Sequence, residues 1–151
     1  DRCRKIREMV PGVAISTDII VGFPGETDED FAETMEVLEA VRFDQMFSFR
    51  YSPRPFTAAA EYEEQVPEAV AAERLRRLQT RHDEIVDEIM ATQEGTIHKV
   101  YFEELRPGNR VAGRSADGRL VSVEGSEELL GQILPVRITR AMRRSLEGEI
   151  V

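Results

Sequence analysis

Cysteine is all but missing: Cys3 is the single thiol among 151 residues. One thiol excludes a disulfide within the chain, a cysteine-built zinc site and an iron–sulfur cluster held by these residues alone, since each needs two or more thiolates. No apolar run approaches the roughly 20 residues that a membrane helix requires, and no basic-then-apolar leader opens the chain. No membrane partner is therefore expected, and the location is expected to be cytoplasmic. Lysine is scarce as well. Of 20 basic residues only Lys5 and Lys99 are lysine, and the rest are arginine, the side chain better suited to bidentate phosphate contacts. A GC-rich genome accounts for the same bias without any function.

What is present suits one or two small folded domains: 41% of the residues are hydrophobic and 32% charged. The net charge of −9 argues against a phosphate-binding surface along the whole chain, but it is unevenly spread. Residues 1–93 hold 11 basic and 20 acidic side chains, a net of −9, whereas residues 94–151 hold 9 of each, a net of 0. The break near 93 marks a candidate domain boundary, giving an expected division into 1–93 and 94–151.

The first part reads as alternating helix and strand. Ile6, Met9 and Val10 suit a helix stopped at Pro11-Gly12, and Val13–Val21 is a β-rich run of the buried-strand type. Thr27 is placed to cap a helix with Phe31, Met35, Leu38 and Val41 on one face. A second strand, Met46–Tyr51, ends at Ser52-Pro53-Arg54-Pro55. Pro67 opens a long helix with a stripe of Leu75, Leu78, His82, Ile85 and Ile89, about 26 residues or roughly 40 Å in length. From residue 94 the period becomes two. About five short strands punctuated by glycines, with a turn at Asp117-Gly118, suit a small closed barrel of the OB type. The fold class is thus α/β followed by all-β.

Gly22-Phe23-Pro24-Gly25-Glu26-Thr27 follows a strand and opens a helix, the context of phosphate-cradling loops. Yet two residues, not four, separate its glycines, Glu26 stands where a Walker loop has lysine, and Asp28, Glu29 and Asp30 repel an anion. The loop is instead a sharp turn, structural or set beside an uncharged ligand. His82 and His98 lack partners at ligand spacing, and His82 fits the edge of a core. No carboxylate pair is marked out for acid–base work, so no catalytic residue and no metal ligand is assigned. Asp18, an acid in an apolar strand, must have a partner or face a site. In the second part Arg114, Arg140, Arg143 and Arg144 lead the candidates for RNA phosphate contact, the last three in a loop between the final strands. The alternative is that these arginines pair with Glu124, Glu127, Glu128, Glu147 and Glu149. Tyr101 and Phe102, the only aromatics there, are too few for a stacking platform, so charge and shape have to dominate.

These stretches resemble the methylthiotransferases, radical S-adenosylmethionine enzymes. Thr17–Thr27 is similar to the family's fifth barrel strand and its loop, and Phe47–Pro55 to the sixth. Gln65-Val66-Pro67-Glu68 with Glu73–Gln79 resembles the branch acting on isopentenylated adenosine in tRNA. Residues 94–151, with Gly113-Arg114, Arg119-Leu120-Val121, Glu124-Gly125 and Leu146–Glu149, resemble the family's TRAM domain. One local departure is Phe56, where the family usually has glycine. The larger departure is that the family's cluster-binding cysteines are missing, so the chain is expected to be a fragment, inactive by itself.

The resemblance implies the last two βα units of a radical SAM partial barrel, then an OB-like five-stranded TRAM barrel. For the full-length enzyme it implies S-adenosylmethionine and two 4Fe-4S clusters as cofactors, and the tRNA anticodon arm as partner. It implies conversion of N(6)-isopentenyladenosine beside the anticodon to its 2-methylthio derivative. Asp18, Ile20, Gly22, Tyr51 and Ser52 are the implied S-adenosylmethionine-binding positions, and a monomer is expected. Two other substrates stay open within the family, threonylcarbamoyladenosine in tRNA and a ribosomal-protein aspartate. From another class, the chain is an RNA-binding module with its α/β part as scaffold.

Overall fold

The computed structural model describes residues 2–151. Contacts divide them into two units: Ile15–Val86 with the N-terminal helix, and Asp87–Val151 with the short Pro11–Ala14 segment. No helix among the described residues is long and apolar enough to cross a membrane.

In the first unit the elements are α1 (Arg2–Met9), β1 (Ser16–Val21), α2 (Asp28–Val41), β2 (Gln45–Arg50) and the first five turns or so of α3 (Glu68–Ala91). β1 and β2 pair in parallel, Asp18 opposite Phe47 and Ile20 opposite Phe49. Thr27 caps α2 through a reciprocal box: its hydroxyl accepts from the Asp30 N–H while the Asp30 carboxylate accepts from the Thr27 N–H. That bonding holds the Asp30 carboxyl below its ordinary pKa. Phe31 and Leu38 of α2, Phe43, Val21, and Ala71, Leu78 and Ile85 of α3 form the core. His82 is buried with them, its Nε2 3.1 Å from the Phe43 carbonyl.

β1 is shorter than Val13–Val21 and is not buried on both sides. Its exposure alternates, with Ser16, Asp18 and Ile20 outward. Two strands flanked by helices on one side leave the other face bare, so Ile20, Phe47 and Phe49 are all more than half exposed. Asp18 is on that face, which removes the cost of burying its charge. Phe56, 104% exposed, adopts φ +67. This is the left-handed conformation in which glycine is at home, so the turn keeps a glycine geometry with a phenylalanine in it.

The second unit is a closed five-stranded barrel, order β3-β4-β5-β7-β6 with β6 returning to β3. The strands are β3 (Ile97–Arg106), β4 (Arg110–Ser115), β5 (Leu120–Glu124), β6 (Ile133–Met142) and β7 (Ser145–Ile150). All pairings are antiparallel except β5 with β7. Val100, Phe102, Val111, Val121, Val123, Val136, Ile138 and Leu146 fill the interior at 1% exposure or less, each worth roughly 1.5–3 kcal/mol in burial. The expected five-strand barrel is therefore present. Closure needs sharp bends, and each of two bulges faces a glycine. Gly113 pairs with Phe102 at the β3 bulge, and Gly148 with Ile138 at the β6 bulge. A Cβ at Gly113 would collide with the Tyr101 carbonyl, and one at Gly148 with that of Arg137. Replacing Gly113 by alanine is thus expected to destabilise the barrel by about 2 kcal/mol or more, read from urea unfolding followed by circular dichroism.

The β4–β5 turn is tied by Asp117, which accepts from the Ser115 hydroxyl and from Arg119 Nε at 2.6 Å. Burial pushes this carboxyl up, but the Ser115 hydrogen bond and the Arg119 charge outweigh it and hold the pKa below the ordinary value. A depressed folded pKa stabilises above the unfolded value near 4 and ceases to as pH falls through the folded one. The Asp117→Asn variant should be less stable by about 1–2 kcal/mol at pH 7. The gap to the parent should close on titration below about pH 4, as seen in thermal melts.

Candidate functional site

The candidate site lies at the carboxyl ends of β1 and β2, the end where parallel strands deliver loops to ligands. At the first of these, Gly22 turns the chain at φ +71 with Ala71 of α3 so close that a Cβ would stand 2.5 Å from the Ala71 Cβ. The turn continues through Phe23–Glu26, closed by the Glu26 N–H on the Phe23 carbonyl at 2.9 Å, and the Gly25 N–H donates to the Glu64 carbonyl at 2.8 Å.

Arg74 holds this loop in place. Arg74 is 6% exposed, and its guanidinium donates to the Glu26 carbonyl at 3.0 Å, to Glu26 Oε2 at 2.8 Å and to Asp28 Oδ1 at 2.7 Å. Glu26 Oε2 in turn accepts the Gly22 N–H. Burial disfavours the cation, but the hydrogen bonds with Asp28 and Glu26 prevail and raise its pKa above the usual arginine value. The ring of Phe31 lies 5.7 Å from the Arg74 guanidinium and 5.1 Å from that of Arg77. Sequence reasoning passed over Arg74, although a signal was there: position 74 falls on the helical stripe with 71, 78, 82 and 85, which are buried.

A groove of about 570 Å³ opens beside the loop, lined among others by Gly22, Phe49, Tyr51, Ser52, Gln65 and Val66. Tyr51 lies just past β2, its N–H bonded to the Val21 carbonyl at 2.8 Å. Its ring meets Phe23 edge-on, centroids 5.1 Å apart at 69°. Its hydroxyl is buried with no hydrogen-bond partner among the described residues, a costly state unless a ligand or water satisfies it. Gly22, Tyr51 and Ser52 are thus brought together. Asp18 and Ile20 are not in that groove; they border a separate hollow of about 420 Å³ with Asp30, Glu33 and Thr34 of α2.

In the barrel the four candidate arginines separate. Arg140 falls within β6, while Arg143 and Arg144 make the β6–β7 turn. Arg143 is engaged, clasping Asp87 at 2.7 and 3.0 Å, which holds the Asp87 carboxyl below its ordinary pKa through that hydrogen bond. Arg114 donates to the Gly118 carbonyl at 3.0 Å and stands 3.6 Å from Glu103. Arg140 and Arg144 have no partner among the described residues. Of the glutamates expected to pair with arginine, Glu147 does so, with Arg110 at 3.1 Å.

Comparison with known families gives first the class. Residues 91–151 match the TRAM domain, so the barrel is a TRAM domain. The whole chain then matches one kind of enzyme. It is 63% identical over 150 residues to the tRNA-2-methylthio-N(6)-dimethylallyladenosine synthase of a Sulfurovum species, 99% of this chain and 35% of that relative. The synthases of Campylobacter curvus and of a Nitratiruptor species are 61% identical over 150 residues and 57% over 151, again with 35% of each relative covered. The chain is similar to these enzymes along its full length and spans 35% of the length of the curated relatives it matches.

Replacing Arg74 by methionine is expected to cost about 3–5 kcal/mol, because it strands the Glu26 carboxylate. It should also release the Gly22 amide to hydrogen exchange. Replacing Arg77, which only covers Phe31, should cost about 1 kcal/mol or less. Urea unfolding and amide exchange of the two variants check the contrast.

Proposed function

We propose that this chain is part of a tRNA methylthiotransferase that converts N(6)-isopentenyladenosine next to the anticodon to its 2-methylthio derivative by radical S-adenosylmethionine chemistry. What carries the reading is identity of 57–63% running through 99–100% of the chain, across both units, to relatives bearing that name. On this reading residues 1–93 contribute the last two βα units of the radical SAM barrel, and residues 94–151 meet the tRNA, with Arg114, Arg140, Arg143 and Arg144 as candidate contacts.

The groove beside Gly22 suits the uncharged adenosine portion of S-adenosylmethionine. Phe49 and Val66 offer apolar surface, the unsatisfied Tyr51 hydroxyl offers a hydrogen bond, and the Ser52 side chain is free to add another. Asp18 and Ile20, on the bare sheet face, are candidates for the part of the ligand lying outside that groove. When bound, S-adenosylmethionine supplies the hydrogen-abstracting radical and the methyl group. The residues of this chain do not fit an iron–sulfur cluster: Cys3 is the sole cysteine, and no group of three His, Cys, Asp or Glu side chains gathers among the described residues. The chain's own work is to bind and orient. Arg74 and Glu26 fix the loop, the φ +71 turn at Gly22 keeps α3 close, and Tyr51 presents its hydroxyl from a ring wedged against Phe23.

The test is a graft. This chain replaces the corresponding part of the Sulfurovum relative in cells lacking their own enzyme, and their tRNA is digested and analysed by mass spectrometry. Accumulation of 2-methylthio-N(6)-isopentenyladenosine is expected; isopentenyladenosine alone would overturn the reading. In the grafted protein Tyr51→Phe should weaken S-adenosylmethionine binding about fivefold to tenfold by equilibrium dialysis, with no loss of thermal stability, because the hydroxyl has no internal partner to lose.

A further inference from the structure

The loop that leaves β2 carries two costs at one residue. Phe56 is 104% exposed, so its ring adds nothing to the core, and it stands at φ +67, where a bulky side chain is uncommon. The turn itself imposes this. Pro55 keeps its own φ negative, and the Thr57 N–H donates to the Arg54 carbonyl at 3.3 Å. Arg54–Thr57 is therefore a type II turn, with Phe56 at the position that demands a positive φ. The Thr57 hydroxyl donates to the same carbonyl at 2.8 Å and fastens the turn a second time. Glycine or asparagine would fill that position with little strain, whereas phenylalanine there gains nothing from the fold.

The turn lies on the rim of the groove beside Gly22. Its loop leaves through Ser52 and Pro53 and returns through Gln65 and Val66, and all four line that groove. The returning limb is braced: Gln65 Nε2 donates to the carbonyls of Ala59 at 3.1 Å and Tyr62 at 2.9 Å, and the Glu64 carbonyl accepts the Gly25 N–H at 2.8 Å. Between Ser52 and Val66 there is one basic residue, Arg54, against three acidic ones, Glu61, Glu63 and Glu64, all exposed. A phosphate gains little there. An uncharged flat partner loses nothing to those carboxylates. One open ring is also far short of the roughly 800 Å² per partner that a protein interface buries, but it is enough for a single nucleobase.

We infer that Phe56 is a substrate-contacting residue, its ring stacking on an unpaired nucleobase of the RNA at the mouth of the groove. The inference rests on the tRNA reading above. It accounts for an exposed ring and a strained backbone at the same residue, since such strain persists where a ligand is gripped. Every base has a flat face, so the contact selects unpaired nucleotides over paired ones and leaves the choice of base to the groove.

The test uses the purified graft with an anticodon stem-loop RNA, and with versions in which one loop base at a time is 2-aminopurine, whose fluorescence falls on stacking. Phe56→Gly suits the turn and is expected to melt at or above the temperature of the parent graft. It should nevertheless bind the stem-loop roughly fivefold to tenfold more weakly at every salt concentration, with the salt slope unchanged because no phosphate contact is lost. KM for the stem-loop should rise by that factor with kcat little altered. Phe56→Tyr should bind as the parent does. At one loop base the parent and Phe56→Tyr should quench 2-aminopurine and Phe56→Gly should not. Equal stem-loop affinity of Phe56→Gly and parent would overturn the inference. A melting temperature of Phe56→Gly well below that of the parent would do so as well, by giving the ring a partner inside the protein. So would self-association that Phe56→Gly abolishes, in favour of a protein interface. If the parent graft makes the 2-methylthio product and Phe56→Gly binds as it does, the inference falls alone; a parent graft that makes none overturns the methylthiotransferase reading and the inference together.

Discussion

The Arg74 guanidinium sits among Glu26, Asp28 and the Glu26 carbonyl, and Glu26 passes the interaction on to the Gly22 N–H. One buried cation from α3 thereby joins the end of β1, the turn after it and the first residues of α2. A sheet of only two strands has little to hold its loops with. In a larger sheet neighbouring strands and their connections would constrain the Gly22 turn; here a charge cluster does so. The groove owes its shape to that constraint, because Gly22, Tyr51 and Ser52 come together only while the turn stays against Ala71.

The barrel achieves order differently. Closure leaves no open strand edge along the ladder. Its demands are steric. Glycine is required where the bulges bring backbones into contact, and alternation has to hold through β3 and β6 so that one residue in two faces the interior. That strictness is what presents Tyr101, Lys99 and Arg137 to solvent.

Alternation and helical stripes made most of this legible in the sequence. The β-barrel was readable from period two and its glycines, the Thr27 cap from its place before the helix, and His82 as a core residue from its stripe. The relation to the methylthiotransferases was legible because several motifs fall in order. One reading went astray and one residue was passed over, because sequence does not reveal how many faces of an element are covered. Val13–Val21 reads as a fully buried strand because its composition suits one, whereas helices cover a single side and Asp18 and Ile20 lie on the other. Arg74 went unnoticed because a charge at a stripe position is ordinarily solvated, and only the distant partners Glu26 and Asp28 make burial tolerable. For Arg143 the sequence left open a phosphate contact or a pair with a barrel glutamate, and its carboxylate partner is Asp87 of α3.

The strand order of the barrel also governs when it can form. β3, β4 and β5 follow one another as local hairpins, and β6 with β7 makes another, but β7 is the strand that lies between β5 and β6. During synthesis the earlier strands emerge first and wait, because their closing partner is Ser145–Ile150. A ribosome stalled before that point leaves β5 and β6 as two unpaired edges, each a template for pairing with another chain. Closure is thus a late event with contacts distant in sequence, and the rate at which the last strand inserts sets how long a nascent chain remains open to misassembly.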